Sequence, residues 1–566
     1  MGETEMSLKK SDSKFEKRLS RLYGEQKAHK TSEKIEKMLL RKKETASPYI
    51  FTEKDSILIV YADQLSDGKT PTLKLLKQCL DKYGHGLTNT VHLLPFYPSS
   101  SDDGFSVIDY KKIDHLCGSW KDIKSLQGKF RLMFDSVINH ISVNSRWFKN
   151  FLEGKKTSGD FFIEKSDGFD SSKVFRPRAL PLFSKFNTRS GDKEIWTTFS
   201  ADQADLNYAS AELLVEIIKV LLFYADKGAS LLRLDAIAFI WKKSGTSCVH
   251  LRETHSLIKL FKEILREYAP DMKLVSETNV PYKENISYFG NGRDEADMIY
   301  NFSLPPLLAH ALITQNTAKL QKWAETLIKP PEKSTYFNFT ASHDGIGLVP
   351  AKDFLNEKDI ELLCKNSISK GGFVSMKSVP GHDATPYELN INYFDLLRDA
   401  DDSEKEALDK FIISQCVMLT MPGIPGIYFH SFFGSHNYQE GVRLSGINRR
   451  INREKFNFDS FMNELGNDNS ERKKVYTRFK HLLQIRKRLP QLNPYADFSF
   501  PFVSDKIFAI LRNSPKDGKK LLALFNFSKK MVKESAFSLR GQHIDLISGK
   551  KYEGRLNAWQ SVWLEI

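Results

Sequence analysis

The sequence predicts an α/β protein: a (β/α)8 barrel of the TIM type with inserted loop subdomains, followed by a C-terminal antiparallel β domain. Three observations carry this. Eight short apolar runs alternate with helical patterns between residues 56 and 430, as successive βα units of a parallel sheet do. Acidic and other polar residues collect at the C-terminal ends of those runs, the ends that a closed barrel gathers on one face. Beyond Asp497 the helical pattern stops, and short strands separated by turn residues replace it.

The eight runs are Ser56–Tyr61, Val91–Pro95, Arg131–Asp135, Ser230–Asp235, Lys273–Glu277, Asp297–Asn301, Tyr336–Thr340 and Gly426–His430. About 90 residues separate His140 from the fourth run, including a Gly/Ser/Asp-rich stretch from Thr157 to Ser172 and an Arg176-Pro-Arg178 segment. An inserted subdomain is therefore expected over 141–205. A second long irregular piece follows Asp344 and contains Gly371-Gly372 and Pro380-Gly381-His382, so an inserted loop region is expected over 345–400. Residues 1–50 read as a charged helical segment with little core of its own, 51–485 as the barrel and 486–566 as the C-terminal domain. The strands of that last domain are read as Phe498–Phe502, Lys506–Leu511, Lys520–Phe525 and Ser561–Ile566.

Hydrophobic residues make up 41% and charged residues 27% of the chain, a globular balance with material for a large core. The five cysteines, Cys79, Cys117, Cys248, Cys364 and Cys416, are odd in number and show no CxxC spacing. That speaks against a disulfide framework or a zinc site and for a reducing compartment. Met1 to Thr52 has no apolar signal core, and no run of about 18 apolar residues occurs. A cytoplasmic protein without a membrane partner is expected. The net charge of +14, from 84 Lys and Arg against 70 Asp and Glu, has no zinc finger, recognition helix or RNP-type motif beside it, so a nucleic-acid partner is not expected. The excess is compatible with a phosphate or carboxylate substrate.

Asp135, Asp235, Glu277 and Asp344 each stand at or just beyond the C-terminal end of a run, with Asn139, His140, Arg233 and His343 close by. Any one such carboxylate is as well explained as a helix N-cap. Four acids, two histidines and an arginine at matching ends of different strands are not. The set suits retaining cleavage of a glycosidic bond. One carboxylate attacks the anomeric carbon; a second, about 5–5.5 Å from it, protonates the departing oxygen and then deprotonates the incoming acceptor. Arg233, two residues before Asp235, points to the same face and supplies a cation that keeps a nucleophile ionised. The acid needs the opposite, a raised pKa. A third carboxylate can grip sugar hydroxyls as the ring distorts.

Asp135-Ser-Val-Ile-Asn-His140, Leu232-Arg-Leu-Asp-Ala236, Ser276-Glu-Thr278 and Ser342-His-Asp344 resemble, in order and spacing, the four signature regions of the α-amylase superfamily. The resemblance implies Asp235 as nucleophile, Glu277 as acid/base and Asp344 as transition-state stabiliser, with Asn139, His140, Arg233 and His343 lining a glucose subsite. Phe339-Thr-Ala-Ser-His-Asp-Gly-Ile-Gly347, Leu304–His310, Gly245–Cys248, Arg450–Arg453, Tyr61-Ala-Asp63 and Arg176-Pro-Arg178 are similar to the sucrose phosphorylase subfamily. That pattern implies Asp63 and Arg453 on the glucose 4-hydroxyl, Phe199 as an aromatic wall, and Gln203, Arg178 and Tyr387 toward acceptor or phosphate. Tyr110 stands where the subfamily usually carries His, among the glucose-subsite residues. The stretches Arg178–Leu182, Pro386–Tyr393 and His430–Ser435 look more like the glucosylglycerate and glucosylglycerol phosphorylases, an acceptor-side difference.

The expected function is an α-glucoside phosphorylase with inorganic phosphate and a small α-glucoside as reactants. The mechanism requires no metal, no oxygen-rich calcium loop is visible, and no nucleotide or flavin motif occurs, so no cofactor is expected. Rival readings are a hydrolase or transglucosidase on the same scaffold and a non-catalytic sugar-binding protein. Lys242 either caps the following helix or meets the acceptor. Arg178 lies in a proline-posed loop, His382 is expected at the surface, and Trp120 and Trp241 are expected to pack.

Overall fold

The computed structural model describes residues 14–40, 49–379, 382–537, 539 and 543–566. Eight parallel strands close into a barrel: β1 (Ile57–Val60), β2 (Thr90–Leu93), β3 (Arg131–Ser136), β4 (Ala229–Leu234), β5 (Lys273–Ser276), β6 (Met298–Tyr300), β7 (Thr335–Asn338) and β8 (Ile424–Tyr428). β1 pairs with both β2 and β8, which completes the ring. The eight predicted runs are these strands, displaced by one or two residues at their ends. They read as continuous apolar stretches because both faces are covered, one by the barrel interior and one by the surrounding helices; all four residues of β1 are buried. Gly426 in β8 has a steric reason. A Cβ there would sit 2.4 Å from the ring of Phe337 on β7, so the glycine makes room for a phenylalanine.

Two helices, Glu16–Tyr23 and Glu25–Leu39, lie against the barrel helices, both on Arg252–Tyr268 and the second also on Ala211–Asp226, and bury Leu19, Ala28 and Ile35. Tyr23 donates to the Tyr208 carbonyl at 2.9 Å, and Lys14 pairs with Glu267 at 2.7 Å. The rest of the predicted N-terminal helical segment, 1–13 and 41–48, lies outside the described residues. Between β3 and β4 the chain forms an antiparallel hairpin, Phe183–Thr188 with Gly191–Trp196, over a small cluster of Val174, Trp196 and Cys248. The stretch after Asp344, expected to be irregular, contains a helix, Glu357–Ser369, and a hairpin of Phe373–Val379 with His382–Asn390. Asn356 caps the helix in a reciprocal box with Asp359. His382 opens the second strand; Pro380 and Gly381 lie outside the described residues.

The C-terminal sheet is antiparallel in chain order: β9 (Asp497–Ser499), β10 (Ile507–Asn513), β11 (Lys520–Asn526) and β12 (Ser561–Glu565). Two fully buried arginines, Arg512 in the sheet and Arg486 at the end of the helix before it, tie this part of the chain down. Arg512 donates to the carbonyls of Thr420 and Asn493 at 2.9 and 2.8 Å, and Arg486 to those of Leu419 and Asp55 at 3.0 Å each. A buried guanidinium costs several kcal/mol unless its donors are met, and backbone carbonyls meet every guanidinium nitrogen here except the Arg512 Nε. Among the described residues no helix is long and apolar enough to cross a membrane.

His436 ties two elements together. Its Nδ1 and Nε2 face Asp395 and Glu471 at 2.6 and 2.9 Å, with Arg398 and Lys474 beside Glu471. The two carboxylates raise its pKa from 6.5 to about 9, against the opposing effect of burial. A raised pKa stabilises the fold fully below the unfolded value, and the contribution fades as pH rises through the folded one. His436→Gln is therefore expected to destabilise the protein most below about pH 6.5, with the difference from wild type shrinking as pH passes 9; chemical unfolding at stepped pH measures this.

Candidate active site

Strand register brings the acids together. In the parallel pairing of β3 with β4, Asp135 lies opposite Arg233; in that of β4 with β5, Leu234 lies opposite Ser276. One step later Asp235 and Glu277 leave their strands side by side. The Asp235 N–H donates to the Ser136 carbonyl and the Glu277 N–H to the Leu234 carbonyl, both at 3.2 Å. Residues two apart on a strand share a face, so Arg233 and Asp235 point the same way. The Arg233 guanidinium bonds Asp135 and, at 2.7 Å, Asp235; its second terminal nitrogen is 4.0 Å from Glu277. Ala236 then takes a left-handed φ of 48°, and its N–H donates to Glu277 at 2.9 Å.

Asp344 arrives on the loop after β7, and that loop is held from a distant part of the chain. Asn452 donates to the Ser342 carbonyl at 2.6 Å and Arg453 to the His343 carbonyl at 2.7 Å. Arg449 reaches Asp344 at 2.5 Å and grips Glu388 with two bonds of 2.9 and 2.6 Å. Asp235, Glu277 and Asp344 line one pocket. Among its other lining residues, His343 stacks on Phe105 at 4.7 Å and 2°, Phe199 stands 5.3 Å from His140 and 5.5 Å from Phe239, and His140 lies 3.2 Å from Gln203. Arg178 sits over the Tyr387 ring at 5.8 Å.

Burial raises the pKa of both Asp235 and Glu277, and Arg233 opposes it in each. Glu277 pushes Asp235 up further, and Asp344 does the same to Glu277, while the Ala236 N–H draws Glu277 back. Carboxyls this close titrate together and hold a proton at a pH where an isolated carboxylate has lost it. Asp344 goes the other way. Burial would raise it, but Arg449, His343 and Arg453 hold it far below the ordinary carboxylate range. Burial pushes the His140 and His343 imidazoles down, so both are neutral at pH 7.

The model of the α-amylase catalytic domain matches residues 73–348. The chain is 43% identical over 516 residues to the glucosylglycerate phosphorylase of Allomeiothermus silvanus, covering 91% of each protein. It is 30% identical over 417 residues to the sucrose phosphorylase of Agrobacterium vitis, covering 70% of this chain and 81% of that one. The chain belongs to the α-amylase superfamily, in the branch of the sucrose and glucosylglycerate phosphorylases. Its fold resembles the crystal structure of sucrose 6F-phosphate phosphorylase from Thermoanaerobacter thermosaccharolyticum, with a TM-score of 0.73, 23% identity and coverage of 91% of this chain and 99% of that one.

Several of the expected site residues sit away from the pocket lining. Asp63 does not meet Arg453; it is half-exposed and held by Lys455 at 2.6 Å. Arg453 instead reaches Asp102 and Asp103 at 3.2 and 2.9 Å, and Asp102 lines the pocket. Tyr110 is buried behind the site, with its hydroxyl donating to the Val137 and His140 carbonyls at 2.9 and 3.0 Å. Asn139 is buried too, accepting from Lys242 at 3.0 Å. Lys242 neither caps a helix nor faces the pocket. It is buried against Asp205 at 2.6 Å and the Phe239 carbonyl at 2.6 Å, because an enclosed carboxylate needs a cation. Trp120 and Trp241 pack, as expected: Trp120 against Phe96 and Phe223, Trp241 against Tyr23.

Sequence reasoning missed Asp102, Phe105, Phe239, Asn279, Glu388 and Arg449, all in the lining. Phe239, Asn279, Glu388 and Arg449 lie beside a quoted motif or inside one, whereas Asp102 and Phe105 lie in a stretch with none. The available signal was Arg449-Arg450 just ahead of Arg453, and Glu388 beside Tyr387. Among the described residues, the only three side chains found close enough to share a metal ion, Asp399, Asp401 and Asp402, are answered by Lys370, Lys410 and Lys529.

Lys242→Met is expected to cost about 3–5 kcal/mol of stability, the usual penalty for stranding one partner of a buried ion pair. The unfolding midpoint reports it. A lysine touching the acceptor would leave that midpoint in place and raise the acceptor KM.

Proposed function

We propose that the protein is a retaining α-glucoside phosphorylase that releases α-glucose 1-phosphate and an anionic hydroxy acid of the glycerate type. The supporting observation is the company the carboxylates keep: Asp235, Glu277 and Asp344 share their pocket with two arginines, Arg178 and Arg449. A site for a neutral sugar and water has no need of two guanidinium groups. Inorganic phosphate and a carboxylate acceptor both do, and the planar fork of arginine suits either. The names of the relatives, glucosylglycerate and sucrose phosphorylase, agree with this reading.

The chemistry runs in two displacements. Asp235 attacks the anomeric carbon as the bond to the acceptor oxygen breaks, and Glu277 gives that oxygen its proton. Arg233, at 2.7 Å from Asp235 and 4.0 Å from Glu277, favours charge on the former and leaves the shared proton to the latter. Phosphate oxygen then attacks the β-glucosyl ester on the face the acceptor left, restoring the α configuration and freeing Asp235. Phosphate arrives already ionised, so it needs less help from a base than water does. Asp344, kept ionised by its arginines, holds ring hydroxyls and favours the oxocarbenium-like state. Asp102, paired with Arg453, takes the place at the far hydroxyls that the family pattern implied for Asp63. The five cysteines are unpaired, which suits a cytoplasmic enzyme.

Incubated with an α-glucoside and phosphate, the protein is expected to form glucose 1-phosphate in proportion to phosphate supplied; free glucose formed at the same rate without phosphate would make it a hydrolase instead. Asp235→Asn is expected to lower kcat by about four orders of magnitude or more. Glu277→Gln is expected to lose about 10²–10⁴-fold with a glucoside but far less with α-glucosyl fluoride, whose leaving group needs no proton. Equal losses on both substrates would remove the acid role.

A further inference from the structure

The motif His343-Asp-Gly-Ile-Gly347 contains two glycines that the proposed displacement chemistry does not use. Neither has a positive φ; both are there for space. A Cβ on Gly345 would lie 2.4 Å from the Glu388 side chain, and one on Gly347 would lie 2.7 Å from both amide atoms of Asn279. The two glycines let Glu388 and Asn279 press against this turn. Glu388 is the residue that fixes Arg449. Asn279, two residues beyond Glu277, lines the pocket and donates to the Tyr387 hydroxyl at 3.4 Å. Its Oδ1 is buried and has no hydrogen-bond partner. An unmet buried amide oxygen costs about 1–3 kcal/mol. One held in place from two sides, beside the acid/base and the acceptor-side arginine and tyrosine, calls for a ligand donor.

We propose that Asn279 is a specificity-determining residue that accepts a hydrogen bond from a free hydroxyl of the leaving hydroxy acid. Arg178 and Arg449 meet the acid's carboxylate, and Glu277 serves the oxygen that is glucosylated. Glycerate has one hydroxyl beyond that one, and Asn279 takes it. Gly347 is the positioning residue that holds the amide in place. This rests on the reading of the protein as a phosphorylase with an anionic acceptor. A site built to bond a hydroxyl rejects the analogue that lacks it, because its own polar group is then left unmet.

The test runs the reaction in reverse, from glucose 1-phosphate, with D-glycerate and D-lactate as competing acceptors. Lactate keeps the carboxylate and one hydroxyl but carries a methyl group where glycerate has its second hydroxyl. Wild type is expected to prefer glycerate in kcat/KM. Asn279→Leu, close in size but without polar atoms, is expected to cut that preference by about tenfold or more, the worth of one hydrogen bond to a desolvated partner. Gly347→Ala, which leaves Asn279 in the chain but forces its amide to shift, is expected to cut the preference in the same direction. If both variants lose activity equally on the two acids and keep the wild-type ratio, Asn279 is structural and the proposal is overturned. If wild type forms glucose 1-phosphate from a neutral glucoside but glucosylates neither acid, the anionic-acceptor reading fails and takes this proposal with it. If it forms no glucose 1-phosphate at all, the phosphorylase reading itself fails.

Discussion

One guanidinium organises this molecule's functional end. Arg233 is fully buried on β4, where a charge is tolerated only with partners that repay its lost hydration. Register supplies them: Asp135 from β3 lies directly opposite, Asp235 is two residues on, and Glu277 comes from β5. The dependence is mutual. Without Arg233, three enclosed carboxyls would repel one another and take up protons. Without the carboxyls, the cation would be stranded. A shift of one residue in the β3–β4 or β4–β5 pairing would turn these side chains to the other face, so the same ion cluster that sets up the chemistry also penalises misregistered barrels.

A second set of arginines does for the loops what Arg233 does for the strands. Arg449 and Arg453 come from one short segment after the barrel closes. Between them they contact Asp344 from the β7 loop, Glu388 from the inserted hairpin, and Asp102 and Asp103 from the β2 loop. Loops separated by hundreds of residues are thereby pinned around one cavity, where precise placement of the reacting groups matters most. The pinning also separates the carboxyls by function. Asp344 sits among cations and stays ionised, whereas Asp235 and Glu277 share one cation and retain a proton. Acid and anion are assigned by neighbours, since the side chains themselves differ little.

The sequence made the barrel legible because a parallel strand covered on both faces is a short apolar run, and eight of them leave few alternatives. The C-terminal sheet was legible for a different reason, the end of the helical pattern and the short strands between turn residues that follow it. The meeting of Asp235, Glu277 and Asp344 in one pocket was legible because strand ends and motif spacing agree on these three. The misplacements share a cause. Asp63, Tyr110 and Asn139 were placed by resemblance to a family and Lys242 by its position ahead of a helix, but which way each side chain turns depends on tertiary partners such as Lys455 and Asp205 that no local pattern reveals. Asp102 and Arg449 were missed for the converse reason. Their partners lie about 350 and 100 residues away along the chain, and a contact across that separation leaves no periodicity to read.

If the acceptor is a hydroxy acid, as proposed above, two different anions occupy the site in turn beside the same carbon, and the two arginines are unequal to that task in a useful way. Arg449 is locked by Glu388 and Asp344 and cannot follow a ligand. Arg178 has no carboxylate partner among the described residues; it leans on the Tyr387 ring at 5.8 Å from a loop whose next two residues, Ala179 and Leu180, are exposed. The fixed cation sets a constant positive potential for either anion. In the proposed reaction the unpaired one can adjust to the larger organic acid or to phosphate without breaking an ion pair. Two locked arginines would suit one ligand and misfit the other, and two unpaired ones would leave the pocket without a defined geometry. One of each reconciles reversible exchange with a pocket whose other walls are held by ion pairs.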